Sequence, residues 1–300
     1  MGADRIVTAN LHSPPNLNGA ITLVTGASRG AGRGIALELG QAGATVYVTG
    51  RSTEGAPTTD DVPGTIDATA REVTARGGRG VAMRCDHTVD ADVESVFGRI
   101  RDEQGRLDLL VNNVWGGYES RECQPLPLVP FWEQSLHQWE AMFTAGVRAH
   151  LVASRLAVPM MLTARRGLIV STTANLEALP YLRNLFYDLA KHATSRLVWA
   201  MAQELRKHGI AALALAPGFM RTERVSEAFR RAGAAAALDG PGGPKETPAY
   251  LGRAVVALVS DGSVLQKSGQ LLEVGTLARE YGFTDVDGTQ PPPFRVPPPA

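Results

Sequence analysis

Tyr187 and Lys191 stand four residues apart in the run Phe186-Tyr187-Asp188-Leu189-Ala190-Lys191. In a helix that spacing puts phenol and ammonium on one face, a turn apart. A free phenol titrates near ~10, too high for an efficient base at neutral pH, and a neighbouring ammonium lowers it by favouring phenolate. Such a pair can give a proton to a developing alkoxide or take one back, as carbonyl reduction or its reverse requires. The lysine stands out from its background. The chain has only Lys191, Lys207, Lys245 and Lys267, and arginine supplies the other positive charges. Helix packing or a surface pair is the competing explanation of these two residues taken alone.

A second cluster lies near the start, where Ile21-Thr22-Leu23-Val24-Thr25 runs into Gly26-Ala27-Ser28-Arg29-Gly30-Ala31-Gly32. A β-rich run that ends in glycines and opens a helix suits a dinucleotide. Gly26 permits the tight turn, and Gly30 and Gly32 let the backbone approach a pyrophosphate on the positive helix N-terminus.

These residues need a frame that brings position 26 and position 187 to one place. β-rich runs near 21–25, 44–49, 80–84, 107–112, 167–172, 210–216 and 269–274 alternate with helical spacing near 31–42, 65–76, 90–104, 135–161, 184–207 and 247–260. The strand runs, such as Leu109-Leu110-Val111 and Leu213-Ala214-Leu215, are continuously apolar, as in a parallel sheet covered on both faces. The pattern predicts one α/β domain, a doubly wound parallel sheet of about seven strands with helices on both faces. We expect a flexible lead over 1–18, the domain over 19–278 and a Pro-rich tail over 279–300. Segments 52–64, 113–133 and 218–246 are too long for simple connections and are read as functional loops.

Thr25-Gly26 with Gly30 and Gly32 spells T-G-x-x-x-G-x-G, which resembles the short-chain dehydrogenase/reductase family, a Rossmann-like fold. Further resemblance lies in Asp86 after the third strand, Asn112-Asn113 on the fourth, the Tyr187/Lys191 pair, and Pro217-Gly218 followed by Thr222. The resemblance implies that Ser28, Asp86 and Asn112 contact the cofactor, that Pro217, Gly218 and Thr222 border the nicotinamide, and that Lys191 also holds the ribose. No acid ends the second strand. Arg51 stands there, with Arg29 in the glycine turn, so NADP(H) is expected over NAD(H). The alternative for Arg51 is a solvated charge. The family's serine, 12 to 14 residues before the tyrosine, is assigned to Thr173, with Thr172 and Ser171 as alternatives. The asparagine that supports a water-mediated proton path falls on Gly146, where water is expected to fill the space. Val114-Trp115-Gly116-Gly117, Phe131-Trp132-Glu133 and Gly146 together resemble the dehydrogenase/reductase member 1-like branch, which implies NADPH-dependent reduction of carbonyls.

Trp115, Phe131, Trp132 and Phe219 are candidates for the substrate pocket, and covering a helix or a second subunit is an equal alternative for the loop aromatics. The expected substrate is an apolar carbonyl compound or secondary alcohol. A cofactor-binding scaffold without turnover, or a lyase or epimerase on the same fold, are the rival functions. Lys+Arg and Asp+Glu balance at 30 each, which argues against nucleic acid or an anionic membrane as partner. His87, His137, His150 and His192 show no metal-ligand spacing, and no apolar run reaches membrane-spanning length. Cys85 and Cys123 suggest no disulfide framework, and a cytoplasmic protein is expected. Surplus apolar residues on the two longest helices, Trp199 among them, point to a homodimer or homotetramer.

Overall fold

The computed structural model describes residues 15–117, 129–240 and 242–295. Seven parallel strands form one sheet: β1 (Ile21–Val24), β2 (Thr45–Gly50), β3 (Arg79–Arg84), β4 (Leu109–Asn112), β5 (Gly167–Thr172), β6 (Ile210–Ala216) and β7 (Leu271–Glu273). Their order is β3-β2-β1-β4-β5-β6-β7, with register running through Val24↔Val48, Val24↔Val111 and Val111↔Val170. All seven expected strands are present with ends shifted by at most a few residues.

Side chains alternate across the sheet. Val24, Val48, Leu109, Val111, Val170 and Leu213 face a layer built from α1 (Gly30–Gln41), α2 (Ile66–Ala75) and α8 (Pro248–Ser260). Leu23, Tyr47, Leu110, Ile169 and Ala212 face α3 (Asp90–Gln104), α5 (Ala149–Ala164) and α6 (Leu185–Leu205). The expected helix over 135–161 is α4 (Leu136–Phe143), a π-helical turn over Thr144–Arg148, and α5. Among the described residues no helix is long and apolar enough to cross a membrane.

Two helices escape sequence patterning. α7 (Glu223–Arg231) lies in the 218–246 segment and buries no residue; its apolar stripe is only Val225, Ala228 and Phe229, too short to stand out in the sequence. α9 (Val274–Tyr281) follows β7 directly, with no linker to announce it. After α9 the chain is extended, as its prolines require, yet it packs on the body of the domain. Buried Asp285 accepts hydrogen bonds from the Thr247 N–H and hydroxyl at the start of α8. The Arg253 guanidinium donates to the carbonyls of Thr284 and Asp285, and the Tyr250 hydroxyl to that of Pro291 at 3.0 Å.

The arm docks against Gly275, where a Cβ would lie 2.5 Å from Pro293 N and 2.6 Å from Pro292 C. Gly275→Ala is therefore expected to cost about 1–3 kcal/mol as overpacking and to open the arm. Urea denaturation and limited proteolysis of residues 283–295 check this, and unchanged stability with an equally protected arm would contradict it.

Candidate active site

The strand order reverses between β1 and β4, which places a crevice outside their C-terminal ends. There a cavity of about 320 Å³ is lined by Gly26, Ser28, Arg29, Gly30, Arg51 and Asp86, with Thr222 opposite. Gly30 adopts φ +56°, and a Cβ on Gly32 would fall on the Gly26 carbonyl oxygen. The Gly30 N–H, at the start of α1, donates to Glu223 Oε2 at 2.8 Å. A carboxylate thus stands at the helix N-terminus as an anion would. Arg29 ties down the 52–64 segment, donating to Ser52 Oγ at 2.9 Å and to the carbonyls of Pro63, Gly64 and Thr59. Arg51 pairs with Asp86 at 3.8 Å. Burial by itself would raise the Asp86 carboxyl, but hydrogen bonds from Thr88 and the charge of Arg51 hold it below its ordinary value.

Asn112 is a correction. It shares the parity of Leu110 on β4, so its side chain turns away from the crevice into the α5 layer and donates to Ser154 Oγ at 2.9 Å. The neighbour Asn113 is the one that lines the crevice, with Nδ2 bracing the carbonyls of Thr25 and Gly26 at 3.2 and 3.1 Å.

Beyond the crevice a second cavity, about 290 Å³, has Tyr187 in its wall, along with Pro217, Gly218 and Phe219. Asn184 caps α6 by accepting from the Tyr187 N–H at 2.9 Å, which sets where the first turn presents its phenol. Lys191 follows on the same face, its Nζ 5.6 Å from the Tyr187 ring centroid. The expected lowering of the phenol is not what this geometry produces. Burial pushes Tyr187 up to about 12 and Lys191 down to about 7. The ammonium lies over the indole of Trp115, 3.6 Å from its centroid.

The serine position also differs from expectation. The Thr173 hydroxyl donates to the Lys191 carbonyl at 3.0 Å, because the residue shares the parity of Ser171 and faces α6. Thr172 Oγ1 reaches the Asn112 carbonyl at 3.4 Å, and Ser171 Oγ accepts from Asn112. None of the three lines the Tyr187 cavity. Ala174 and Asn175 do, with Leu179, Leu182, Val274 and Phe294 as apolar walls. Phe131 and Trp132 lie edge to face on each other, exposed and outside both cavities, while Trp115 faces the crevice. Leu126 and Leu128, further apolar residues of the 113–133 segment, lie outside the described residues.

Sequence patterning missed Glu246. It is buried beside Gly218, whose N–H donates to its Oε2 at 2.8 Å, and burial raises its carboxyl to about 7. No spacing rule marks it, since the 218–246 segment brings it back to the strand ends only in three dimensions. Among the described residues no group of three or more His, Cys, Asp or Glu could hold a metal ion.

The model of the short chain dehydrogenase family matches residues 20–232. The chain is 37% identical over 284 residues to mouse dehydrogenase/reductase SDR family member 1, covering 91% of this chain and 85% of that protein. The human counterpart matches at 37% over 281 residues, with the same coverage. Among solved structures, the hydroxysteroid dehydrogenase from Escherichia coli superposes with a TM-score of 0.68 at 25% identity, covering 86% of this chain and 96% of that one. A glycine turn on β1, a Tyr-x-x-x-Lys helix after β5 and these matches carry one conclusion: the chain belongs to the short-chain dehydrogenase/reductase family of oxidoreductases.

Proposed function

We propose that this protein is an NADP(H)-dependent carbonyl reductase or alcohol dehydrogenase acting on a bulky apolar carbonyl or secondary alcohol. The observation that carries this reading is Tyr187, a half-buried phenol in the wall of a largely apolar cavity next to the dinucleotide crevice. A phenol pushed up to about 12 holds its proton at neutral pH, so it serves as donor to the alkoxide formed from a carbonyl. Lys191 supplies positive charge behind it. Asn175, twelve residues before Tyr187, lines the cavity and takes over the substrate-orienting role expected of Thr173.

The crevice fits a nicotinamide dinucleotide: its glycine cradle tolerates no side chain at Gly32, and a carboxylate already sits on the Gly30 N–H. Gly26, Ser28, Gly30 and Gly32 would hold the pyrophosphate, Arg29 and Arg51 the 2′-phosphate, Asp86 the adenine, and Pro217, Gly218 and Thr222 the nicotinamide end. Bound there, the nicotinamide supplies or accepts the hydride. Asn112 keeps a supporting place by tying β4 to α5.

A scaffold without turnover is favoured only by the absence of a serine, threonine or second tyrosine hydroxyl from the described lining of the Tyr187 cavity. Tyr187→Phe separates the two readings. It is expected to keep the fold and NADPH binding while lowering kcat for an apolar ketone by about two orders of magnitude or more. Lys191→Met is expected to weaken both turnover and binding. Full activity in the phenylalanine variant would overturn the proposal.

The cofactor reading makes its own prediction. The Glu223 carboxylate competes with a pyrophosphate for the Gly30 N–H and repels it, so Glu223→Gln should tighten NADPH binding severalfold while leaving 2′-AMP, which lacks a pyrophosphate, unaffected. NADPH should bind more tightly than NADH, and Arg51→Asp should narrow the gap. Fluorescence titration measures all of these; equal affinities for the two cofactors in the parent chain would count against the reading.

We further propose a homodimer or homotetramer through the outer faces of α5 and α6. Leu151 and Leu162 on α5 and Leu189 and Trp199 on α6 are exposed, with Arg196 stacked over Trp199 at 3.7 Å. Apolar surface of this kind is commonly closed by two-fold pairing. Sedimentation should show an oligomer at micromolar concentration that Trp199→Asp dissociates, and a parent chain found only as monomer would exclude it.

A further inference from the structure

Gly146 takes the position of the family's relay asparagine, and the structure shows what stands in its place. The π-helical turn over Thr144–Arg148 presses Gly146 against the indole of Trp115. A Cβ there would lie 2.5 Å from Trp115 Cζ3 and 2.6 Å from Cε3. A Cβ on Gly117 would lie 2.7 Å from Cζ2 of the same ring. With Trp115 in place, neither position accepts a side chain, and the volume that an asparagine and its water would need is filled by the ring.

The ring is also fixed. On one side of it Asn113 is hydrogen-bonded to Thr25 and Gly26. The Val114 carbonyl accepts from buried His150 Nε2 at 3.1 Å. Against this fixed indole lie both catalytic candidates: Lys191 Nζ over its face at 3.6 Å from the centroid, and the Tyr187 ring edge-on at 5.6 Å and 85°. An ammonium that close to an indole face, in partly desolvated surroundings, is attracted by the ring quadrupole.

We propose that Trp115 is the positioning residue for Lys191, holding the ammonium by its π face in place of the family's asparagine, and that Gly117 and Gly146 are glycines because the indole needs their space. This inference rests on the catalytic reading of Tyr187 and Lys191 above. It joins Trp115, Gly117 and Gly146 into one packing unit. An asparagine side chain has no room at position 146, and charge–quadrupole attraction sets the place of the ammonium.

The test measures kcat and KM for an apolar ketone with the full chain and saturating NADPH, alongside thermal melting. Trp115→Leu removes the quadrupole and keeps an apolar filler. It should lower kcat about five- to thirty-fold, the size of a desolvated cation–π contact, while KM for the ketone changes less than about threefold. Trp115→Phe keeps an aromatic face and should recover most of the loss. Gly146→Asn alone should be poorly active, because its side chain meets the ring. The double variant Trp115→Gly/Gly146→Asn should exceed both Trp115→Gly and Gly146→Asn, a coupling that independent sites do not show. Parental kcat in Trp115→Leu, or a double variant no better than its singles, would overturn the inference. Should Trp115→Leu melt at assay temperature, the double-variant comparison alone decides. Tyr187→Phe keeps the two ideas apart: an inactive Tyr187→Phe beside a fully active Trp115→Leu removes only the role of Trp115, whereas an active Tyr187→Phe removes the catalytic reading itself.

Discussion

A parallel strand buried on both faces sends successive side chains into opposite helix layers, and that alternation decides which strand residues can reach the site. On β4, Leu109 and Val111 meet the α1 layer while Leu110 meets the α3, α5 and α6 layer. Asn112 follows Leu110 and is consumed in tying the strand to Ser154. Only past the strand end does the chain escape this constraint, and there Asn113 reaches across to brace the glycine turn. The same parity on β5 sends Ser171 and Thr173 towards α6. Polar chemistry is left to residues beyond the last ladder bond, which is why the site lies at the strand ends.

At those ends burial sets the protonation of the reacting groups. Tyr187 and Lys191 are displaced towards their neutral forms because packing around the first turns of α6 strips water from both. Desolvation weakens the ammonium's charged form, and the indole face of Trp115 opposes that loss by attracting it. Glu246 feels the same pressure elsewhere in the wall of the Tyr187 cavity. Burial therefore favours the protonated phenol, the form that the proposed reduction of a carbonyl requires.

The walls of the cavities come from segments with little core of their own. α7 buries no residue, yet its first turn places Glu223 on the Gly30 N–H, and Phe229 lies 6.4 Å from Phe219. The C-terminal arm contributes Pro293 and Phe294 to the Tyr187 cavity and is held by the Arg295–Glu273 pair at 2.6 Å. Elements attached by a few polar contacts open at lower cost than the sheet and its helices.

The sequence by itself determined the seven strands, most of the long helices, the glycine turn and the Tyr187/Lys191 pair, because all of these are local patterns: continuous apolar runs, helical spacing, glycine where a side chain has no room. It did not reveal α7, a nine-residue helix whose apolar stripe is too short to stand out, or the docking of the arm, which depends on Gly275 meeting prolines sixteen or more residues later in the chain. Tertiary structure alone decided which polar residues face the site. Thr173 and Asn112 had suitable chemistry and spacing but the wrong parity, while Asn113, Asn175 and Glu246 reach it from loops whose paths no local rule fixes. It also decided the meaning of Gly146. In the sequence it is a missing side chain, and in the fold its space belongs to Trp115, thirty-one residues earlier, because two groups cannot occupy one volume.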